Sequence, residues 1–333
     1  MKTKTLNFLR CINPISNSEC CYSELKPRDE LTLICHKCEC EYSIRENIPY
    51  LLLEDTLFDK SYLQDSMIWT YYEMQFAPYL MLDDQAQERL SYPQSEIVVH
   101  SFEQNFYQSV IHLVGQQNLT EGFYQCILDL IHQEKLLPSN ATVLDIGCGL
   151  GRMTVEMARF QEVDYVIGLD MSPLMIEEAT KLVNSQQNHP IKLNLVGGKT
   201  MTAKIRLDWT VDNCDFIVGD AQQLVLQESV FDLVLCLNVV DRVLKPTKVV
   251  DQIFRVLKNG GHLVITDPYD WEHSAITKSE WVTNMAELFS HNNQWQRVQE
   301  VDGIPFVTRE TNRQLIVYMN HCLIYRKRIY KDV

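Results

Sequence analysis

The sequence predicts a doubly wound α/β fold, and three observations support this prediction. From residue 140 onward, short apolar runs typical of buried strands alternate with stretches of helical periodicity. A glycine-rich turn, "GCGLG", directly follows the first apolar run. Further along, Pro246 marks the first turn of a helix, and "NGG" follows that helix as a stop signal. Alternating units of this length form a parallel sheet with helices on both faces.

The predicted elements follow one another in a regular order. They are the strand "ATVLDIG", the helix "RMTVEMARF", the strand "DYVIGLD", the helix "SPLMIEEATKLV", the strands "CDFIVGDA" and "FDLVLCLNVV", the helix "PTKVVDQIFRVLK" and the strand "HLVITD". The basic C-terminal stretch "YRKRIYKDV" is predicted to be an edge strand whose charges oppose pairing with other chains.

Two further regions precede this α/β region, which gives three predicted domains. Residues 1–54 are rich in cysteine, residues 55–119 form a mostly helical connector, and residues 120–333 form the α/β domain. The stretch "YYEMQFAPYLMLDDQ" in the connector fits either a lid or helices packed on the main domain. The helix "EGFYQCILDLIHQEKLL" opens the α/β domain, with an apolar face formed by Phe123, Ile127, Ile131 and Leu136.

The N-terminal cysteines predict a metal site. One pair has the Cys-x-x-Cys spacing of a zinc knuckle, and a tetrahedral site needs two more ligands. So small a domain buries too little apolar surface to be stable alone, and a structural metal would stabilise it. The candidate ligands are Cys35 and Cys38 of the knuckle, Cys11, and either Cys20 or Cys21.

This cysteine-rich segment resembles the small zinc-ribbon domains that precede or activate many methyltransferases. Their knuckle is followed by a tail of the pattern Y-x-I-x-x-x-I-P-x-L, and residues 42–51 have this pattern. One position departs from it, because Pro14 stands where the first knuckle of a ribbon has its second cysteine. Bound structural zinc and reduced structural thiols are therefore both open interpretations.

Composition and charge narrow the classes of function. The hydrophobic content of 46% and charged content of 22% are ordinary for a soluble enzyme. A net charge of −14 repels phosphate backbones and argues against a nucleic-acid partner. No apolar run approaches the roughly 20 residues that span a bilayer, and the start "MKTKTLNFLRC" has no apolar signal-peptide core. We therefore expect a cytoplasmic protein with reduced cysteines and no membrane partner.

The glycine-rich turn predicts a cofactor site. Glycines let the backbone approach a cofactor closely. A dinucleotide fingerprint needs its third glycine at position 152, which is Arg152 here. Asp145, two residues before the first glycine, would repel a pyrophosphate but suits the ammonium group of an amino-acid cofactor. Asp170 ends the second strand, where a carboxylate binds ribose hydroxyls, and Asp220 follows the third strand, where it could accept from an adenine amine.

These three acids on successive strand ends resemble those of the class I S-adenosylmethionine-dependent methyltransferases. The resemblance covers about residues 120–330 and implies a Rossmann-like methyltransferase sheet with S-adenosylmethionine as the cofactor. It also implies the cofactor-binding residues Asp145, Gly147, Gly149, Gly151, Arg152, Asp170, Met171, Asp220, Ala221 and Asn238.

The acceptor site is expected beyond the fourth strand, around "LNVVDRVLKP". The elements N-x-x-D-R, D-P-Y-x-W and D-x-P-F-x-x-R-E-x-x-R resemble the methyltransferase domain of ovothiol-biosynthesis enzymes, and the first also resembles protein-histidine N-methyltransferases. The shared theme is an imidazole acceptor. The resemblance implies the catalytic residues Asp241, Arg242, Tyr269 and Trp271, and the substrate-binding residues Asn238, Asp267, Trp281, Arg309 and Arg313.

The predicted function is N-methylation of a small histidine-like metabolite. Neutral imidazole is already a nucleophile, so the reaction needs no strong base. Asp241 would accept the second ring N–H, and an arginine would hold a substrate carboxylate. A helix-capping ion pair is the structural alternative for Asp241 and Arg242. The alternative functions are methylation of another small acceptor, methylation of a ribosomal-RNA guanine, and a non-enzymatic role as the partner subunit of another methyltransferase.

Overall fold

The computed structural model describes residues 1–12, 22–52, 71–72, 74–76, 79–81, 121–185, 189–207, 209–271, 278–311 and 314–329. The strands among them are β1 (Leu25–Asp29), β2 (Thr32–Cys35), β3 (Glu41–Arg45), β4 (Ile48–Leu51), β5 (Leu80–Met81), β6 (Ala141–Ile146), β7 (Val163–Asp170), β8 (His189–Asn194), β9 (Thr200–Ile205), β10 (Cys214–Gly219), β11 (Phe231–Leu237), β12 (Leu257–Asp267), β13 (Trp295–Thr311) and β14 (Gln314–Lys327).

The helices pack against the two faces of the sheet that these strands form. They are α1 (Thr3–Leu6), α2 (Glu121–Gln133), α3 (Arg152–Ala158), α4 (Pro173–Ser185) and α5 (Pro246–Val256) among the described residues. Within these residues, every helix is too short or too polar to cross a membrane.

One large mixed sheet organises the molecule. Its order is β1-β2-β3-β4-β10-β7-β6-β11-β12-β14-β13. The five strands from β10 to β12 run parallel, which confirms the predicted doubly wound region. Val143 and Leu144 are successive residues of β6 and lie in two different apolar clusters, because successive side chains of a strand point to opposite faces. The α2, α3 and α4 helices cover one face, and α5 covers the other.

The N-terminal strands extend this sheet. The meander β1–β4 is antiparallel, and its last strand pairs in parallel with β10, with Tyr50 opposite Val218. Leu9 and Leu25 are buried in the same cluster as Leu226. The cysteine-rich segment is therefore continuous with the main sheet and shares its core. The physical reason is that β10 offers an unpaired edge, and pairing with it buries one apolar face of the meander.

Two local predictions also differ from the structure. The stretch "NGG" lies inside β12 and does not end α5, and Gly260 with φ of +83° lies where the pairing of β12 with β11 changes register. The basic C-terminal stretch is not an edge strand: β14 lies between β12 and β13. Lys327 is buried, and its Nζ donates to the carbonyl oxygens of Phe254 and Leu257. These hydrogen bonds allow its ammonium group to be buried, although a charged residue is expected to be exposed.

The described part of the connector packs on the α/β domain. Tyr72, Met74 and Phe76 are buried, and β5 joins β9 and β8 in a second, three-stranded sheet. Between the two interpretations of this stretch, the packed arrangement is the one that the described residues adopt.

Candidate active site

The carboxyl ends of the parallel strands place the predicted cofactor residues along one edge. Asp145 lies near the end of β6, Asp170 ends β7, Asp220 follows β10 and Asn238 follows β11. In an open parallel sheet, ligands bind outside these ends, at the point where the strand order reverses. Here that point lies between β6 and β11. The geometry therefore brings the four residues to the expected location.

The glycine-rich turn is fixed to the end of β7. The amides of Gly147 and Cys148 donate to the carbonyl oxygen of Leu169. The amide of Gly149 donates to Asp170 Oδ2 at 3.0 Å, and the amide of Ser172 donates to Asp170 Oδ1 at 2.8 Å. Each carboxylate oxygen is thus oriented by one backbone N–H, and burial raises the pKa of Asp170.

The backbone conformation of the turn and the side chains packed against it both require glycine. Gly147, Gly149 and Gly151 have φ of +70°, +56° and +84°, a region that favours glycine. A Cβ at Gly147 would lie 2.3 Å from Val239 Cγ2, and a Cβ at Gly149 would lie 2.4 Å from Gln75 Nε2. Val239 and Gln75 therefore stand directly against the turn.

Asp145 is a buried carboxyl with an elevated pKa. The Thr154 hydroxyl donates to Asp145 Oδ2 at 2.7 Å. Burial raises the pKa of Asp145 to about 7, and the bond from Thr154 acts in the opposite direction. A carboxyl with this pKa becomes fully ionised when a cation approaches, which suits the predicted contact with an ammonium group.

Arg152 has a different position from the predicted one. Its guanidinium is buried, lies over the rings of Tyr79 and Tyr124 at 5.1 Å each, and its Nε donates to Glu156 at 3.0 Å. Its Nη1 donates to the carbonyl oxygen of Gln75. These contacts of the Arg152 side chain hold the described part of the connector against α3.

The remaining cofactor candidates line the same edge. Asp220 Oδ1 accepts from the amide of Gln222 at 2.8 Å, which turns the chain after β10. Ala221 is buried beside Asp220, and Met171 is half-buried beside Asp170.

At the acceptor end, two carboxyls are buried beneath the loops that follow β11 and β12. Asp241 and Asp267 are both fully buried. Asp267 accepts from the amides of Asp241 at 3.0 Å and Tyr269 at 2.7 Å, and Asp241 Oδ2 accepts from the amide of Asp270 at 3.1 Å. Burial and the nearby Asp241 charge raise the pKa of Asp267 to about 8. Burial also raises the pKa of Asp241, against the effect of Arg242.

Arg242 joins the buried carboxyl to the surface. Its Nη2 donates to Asp270 Oδ2 at 2.7 Å, and its Nε lies 3.4 Å from Asp241 Oδ1. A helix-capping ion pair was the structural alternative for Asp241 and Arg242. The observed pair instead links two loops, because Asp270 follows β12 and Asp241 lies in a short 3-10 turn after β11.

A cavity of about 450 Å³ opens beside these loops, and aromatic side chains form much of its wall. Trp271 Nε1 donates to the carbonyl oxygen of Val282, which fixes the indole in place. The lining residues are Pro268, Tyr269, Asp270, Trp271, Trp281, Val317, Tyr318 and Met319. The predicted residues Tyr269, Trp271 and Trp281 are thus brought together.

Nothing in the sequence indicated two residues, His321 and Glu300, that are connected to the cavity residue Tyr269. Tyr269 Oη lies 2.6 Å from His321 Nδ1, and His321 Nε2 lies 2.9 Å from Glu300 Oε1. The amide of Met285 donates to the same phenol oxygen at 2.9 Å. Because a carboxylate can only accept, Glu300 accepts from Nε2–H, and Nδ1 of a neutral His321 then accepts a hydrogen bond from the phenol hydroxyl. These partners come from β13 and β14, and no local motif signals their proximity.

The other substrate-binding candidates are less fully defined. Asn238 has φ of +56°, and its Oδ1 accepts from the Thr266 hydroxyl at 2.7 Å. The backbone of Arg309 lies in β13, its side chain lies outside the described residues, and so does all of Arg313.

The predicted metal ligands also converge. The sulfur atoms of Cys11, Cys35 and Cys38 all lie within 4.8 Å of one another, with Cys11 Sγ 3.4 Å from Cys38 Sγ. Cys20 and Cys21 lie outside the described residues.

Part of the chain matches a known protein family. Residues 144–265 match the family model of the methyltransferase domain, and they contain the glycine-rich turn and all of β7, β10 and β11. The chain contains a class I S-adenosylmethionine-dependent methyltransferase domain. The domain carries the site at the carboxyl ends of its strands.

Relatives of this methyltransferase domain differ in their acceptors. Sterol 24-C-methyltransferase ERG6 of Saccharomyces cerevisiae is 32% identical over 133 residues, which are 38% of this chain and 29% of that protein. Demethylmenaquinone methyltransferase of Lactiplantibacillus plantarum is 26% identical over 205 residues, which are 59% of this chain and 73% of that protein. The chain thus spans less than a third of the length of the yeast protein.

The YcgJ protein of Bacillus subtilis is a similar solved structure. It has a TM-score of 0.42 and 19% identity, and the match covers 63% of this chain and 99% of that one.

Proposed function

We propose that the protein transfers a methyl group from S-adenosylmethionine to an imidazole nitrogen of a small histidine-like metabolite. The observation that carries the cofactor part is the row of acids at the ends of β6, β7 and β10 beside the glycine-rich turn. When bound, S-adenosylmethionine supplies a methyl group on a positively charged sulfur.

The residues present fit this cofactor. Asp170 holds its two oxygens in fixed directions through the amides of Gly149 and Ser172, as a ribose-binding carboxylate requires. Asp145 provides the carboxylate for an ammonium group, and Asp220 provides an acceptor on the adenine side. A buried acid at the first position would be unfavourable beside a pyrophosphate, so the set fits an amino-acid nucleoside better than a dinucleotide.

The acceptor part rests on the cavity beside the β11 and β12 loops. Its aromatic wall suits a flat ring, and Asp270 places a carboxylate at that wall. We propose that the ring N–H of the methyl acceptor donates to the Asp270 carboxylate. Asp241 is less suitable, because it is fully buried and its Oδ2 accepts the amide of Asp270. Asp241 then acts from behind by orienting Asp270 and Arg242, and Arg242 is the cation that a substrate carboxylate would meet.

A methyl-transfer assay tests both parts of this proposal. Histidine, thiol-histidines and histidine peptides are offered together with a phenol and a carboxylic acid as controls. Turnover on an imidazole is expected. Turnover on the phenol or acid alone would overturn the acceptor assignment while leaving the cofactor assignment, and a thermal melt unchanged by S-adenosylmethionine would overturn the cofactor assignment.

We also propose that the N-terminal region holds a structural zinc ion. The support is the cluster of Cys11, Cys35 and Cys38, whose soft sulfur donors suit zinc, and Cys20 is the proposed fourth ligand. The metal content of purified protein is the test. One zinc per chain is expected, with loss in Cys35→Ser and retention in the control Cys126→Ser, a half-buried cysteine outside the cluster. Protein that folds without zinc would favour reduced structural thiols.

A further inference from the structure

We infer that Gln75 binds the carboxylate of the amino-acid part of the cofactor. This inference rests on the proposed function and adds a residue of the connector to the site. Residue 75 lies outside the 144–265 match to the methyltransferase domain, and no motif in the sequence indicates it.

Gln75 stands directly on the glycine-rich turn. Its Oε1 accepts from the amide of Leu150 at 2.9 Å, and the side chain is nine-tenths or more buried, with 7% of its surface exposed. Its Nε2 lies against Gly149, 2.4 Å from the position that a Cβ there would occupy. The hydrogen bond from the Leu150 amide distinguishes the oxygen of the carboxamide from its nitrogen, because only the oxygen can accept an N–H.

The segment that contains Gln75 is held to two helices, by one tyrosine before Gln75 and one after it. Tyr72 Oη donates to Glu178 on α4 at 2.7 Å, and Tyr79 Oη donates to Glu156 on α3 at 2.7 Å. The carbonyl oxygen of Gln75 itself accepts from Arg152 Nη1 at 2.8 Å. A carboxamide supported in this way can present a group to a ligand with little loss of side-chain entropy on binding.

The group that Gln75 presents is a hydrogen-bond donor. Its oxygen is used by Leu150, so the NH₂ group remains for a ligand at the turn. A donor suits a carboxylate, and Asp145, which precedes the same glycine-rich turn, suits an ammonium group. The two residues together match the zwitterionic end of an α-amino acid joined to a nucleoside. A ligand that lacks the amino-acid end should not depend on Gln75.

A pair of ligands separates this role from general support of the turn. S-adenosylhomocysteine carries the amino-acid end, and 5′-methylthioadenosine lacks it. The Gln75→Glu variant keeps an acceptor for Leu150 but replaces the donor with a negative charge. We expect it to bind S-adenosylhomocysteine at least about tenfold more weakly and 5′-methylthioadenosine within about twofold of the unaltered protein, as measured by titration calorimetry.

Two further variants complete the experiment. Gln296→Glu changes the net charge equally at an exposed position of β13 and should bind both ligands normally. Gln75→Leu removes the donor without adding charge, and should again weaken S-adenosylhomocysteine more than 5′-methylthioadenosine if Gln75→Glu fails to fold.

Three results would overturn the inference: unchanged binding of S-adenosylhomocysteine, equal weakening of both ligands, or tighter binding in Gln75→Leu. The last would show that Gln75 occupies the place of the ligand. If the unaltered protein binds neither ligand, the proposed function itself fails, and this outcome is distinct from the other three.

Discussion

Two acids at the cofactor end and two acids at the acceptor end have opposite surroundings. At the cofactor end, Asp170 and Asp220 are half-buried at the strand ends. Each accepts the backbone amide two residues further along the chain, and Asp170 also accepts the amide of Gly149 in the glycine-rich turn. At the acceptor end, Asp241 and Asp267 are fully buried and hold two loops to each other. The first arrangement leaves the acids at the edge for a ligand, whereas the second supports the loops beneath a cavity.

This difference shows that an acid at a strand end does not by itself indicate contact with a ligand. A fully buried carboxyl that accepts a backbone amide from another loop is part of the framework, because losing it leaves a buried N–H group unpaired. Its contribution to a reaction is then indirect, through the residues that it orients. Cofactor-end substitutions should therefore reduce binding, and acceptor-end substitutions should reduce stability.

The largest effect is expected for Asp170→Asn. The amide side chain must place its NH₂ group against the amide of either Gly149 or Ser172, and it also removes the charge that binds ribose hydroxyls. S-adenosylhomocysteine should bind about 10- to 100-fold more weakly by calorimetry. Asp251→Asn, an exposed change on α5, is the matched control and should bind normally. Normal binding by Asp170→Asn would remove Asp170 from the cofactor site.

The next effect is a loss of stability in Asp241→Ala. The change leaves the buried amide of Asp270 unpaired and releases Arg242 from one of its two carboxylates. We expect the free energy of unfolding in urea to fall by about 2 kcal/mol, with binding of S-adenosylhomocysteine within about twofold.

The exposed pair of Lys4 and Asp164 gives the control, since Asp164→Ala should cost well under about 1 kcal/mol. An Asp241→Ala variant that is as stable as this control would contradict the framework role. It would return Asp241 to the directly catalytic role expected from the sequence.

At the cofactor end, the sequence was sufficient to predict that Asp145, Asp170 and the glycines meet at one edge of the sheet, because that geometry is local. Asp145 and the glycines lie within seven residues, and Asp170 is the last residue of the next strand. The acceptor end could be located only in part. Burial of Asp241 and the contact of Tyr269 with His321 depend on loops and strands that are far apart in the chain. Hydrophobic periodicity carries no information on such contacts.

The N-terminal region shows the same limit for the fold. The Cys-x-x-Cys knuckle and Cys11 were predicted to contribute to one metal site, and the sulfur atoms of Cys11, Cys35 and Cys38 do converge. The pairing of Tyr50 on β4 with Val218 on β10 could not be predicted, because an edge strand carries no sequence signal for the partner that covers it.

A third prediction concerns pH and the cofactor end. Burial raises the pKa of Asp145 to about 7, so the carboxyl is mostly protonated near pH 6 and mostly ionised near pH 8. Because only the ionised form attracts an ammonium group, binding of S-adenosylhomocysteine should strengthen up to about tenfold across this window.

The stability of the unliganded protein should change in the opposite direction. Since the pKa of Asp145 is higher in the folded than in the unfolded chain, its contribution to stability falls as pH rises from about 4 to about 7. Asp145→Asn should bind S-adenosylhomocysteine with a smaller pH dependence than the unaltered protein. Its stability should still fall over part of this range, because the pKa values of Asp170 and Asp267 are also raised. Binding that is equally pH-dependent in this variant would contradict the ammonium contact.

The smallest effect is expected for Tyr269→Phe at the acceptor end. The phenol oxygen accepts the amide of Met285 and contacts His321, so its removal leaves two buried groups without that partner. The free energy of unfolding should fall by about 1 kcal/mol, and S-adenosylhomocysteine should bind normally. A double-mutant cycle with His321→Phe isolates the contact, and a coupling of about 0.5–1 kcal/mol is expected. If the two changes are additive, Tyr269 is held by Met285 and the packing of its ring, and the chain from Tyr269 through His321 to Glu300 has no role in the stability of the acceptor end.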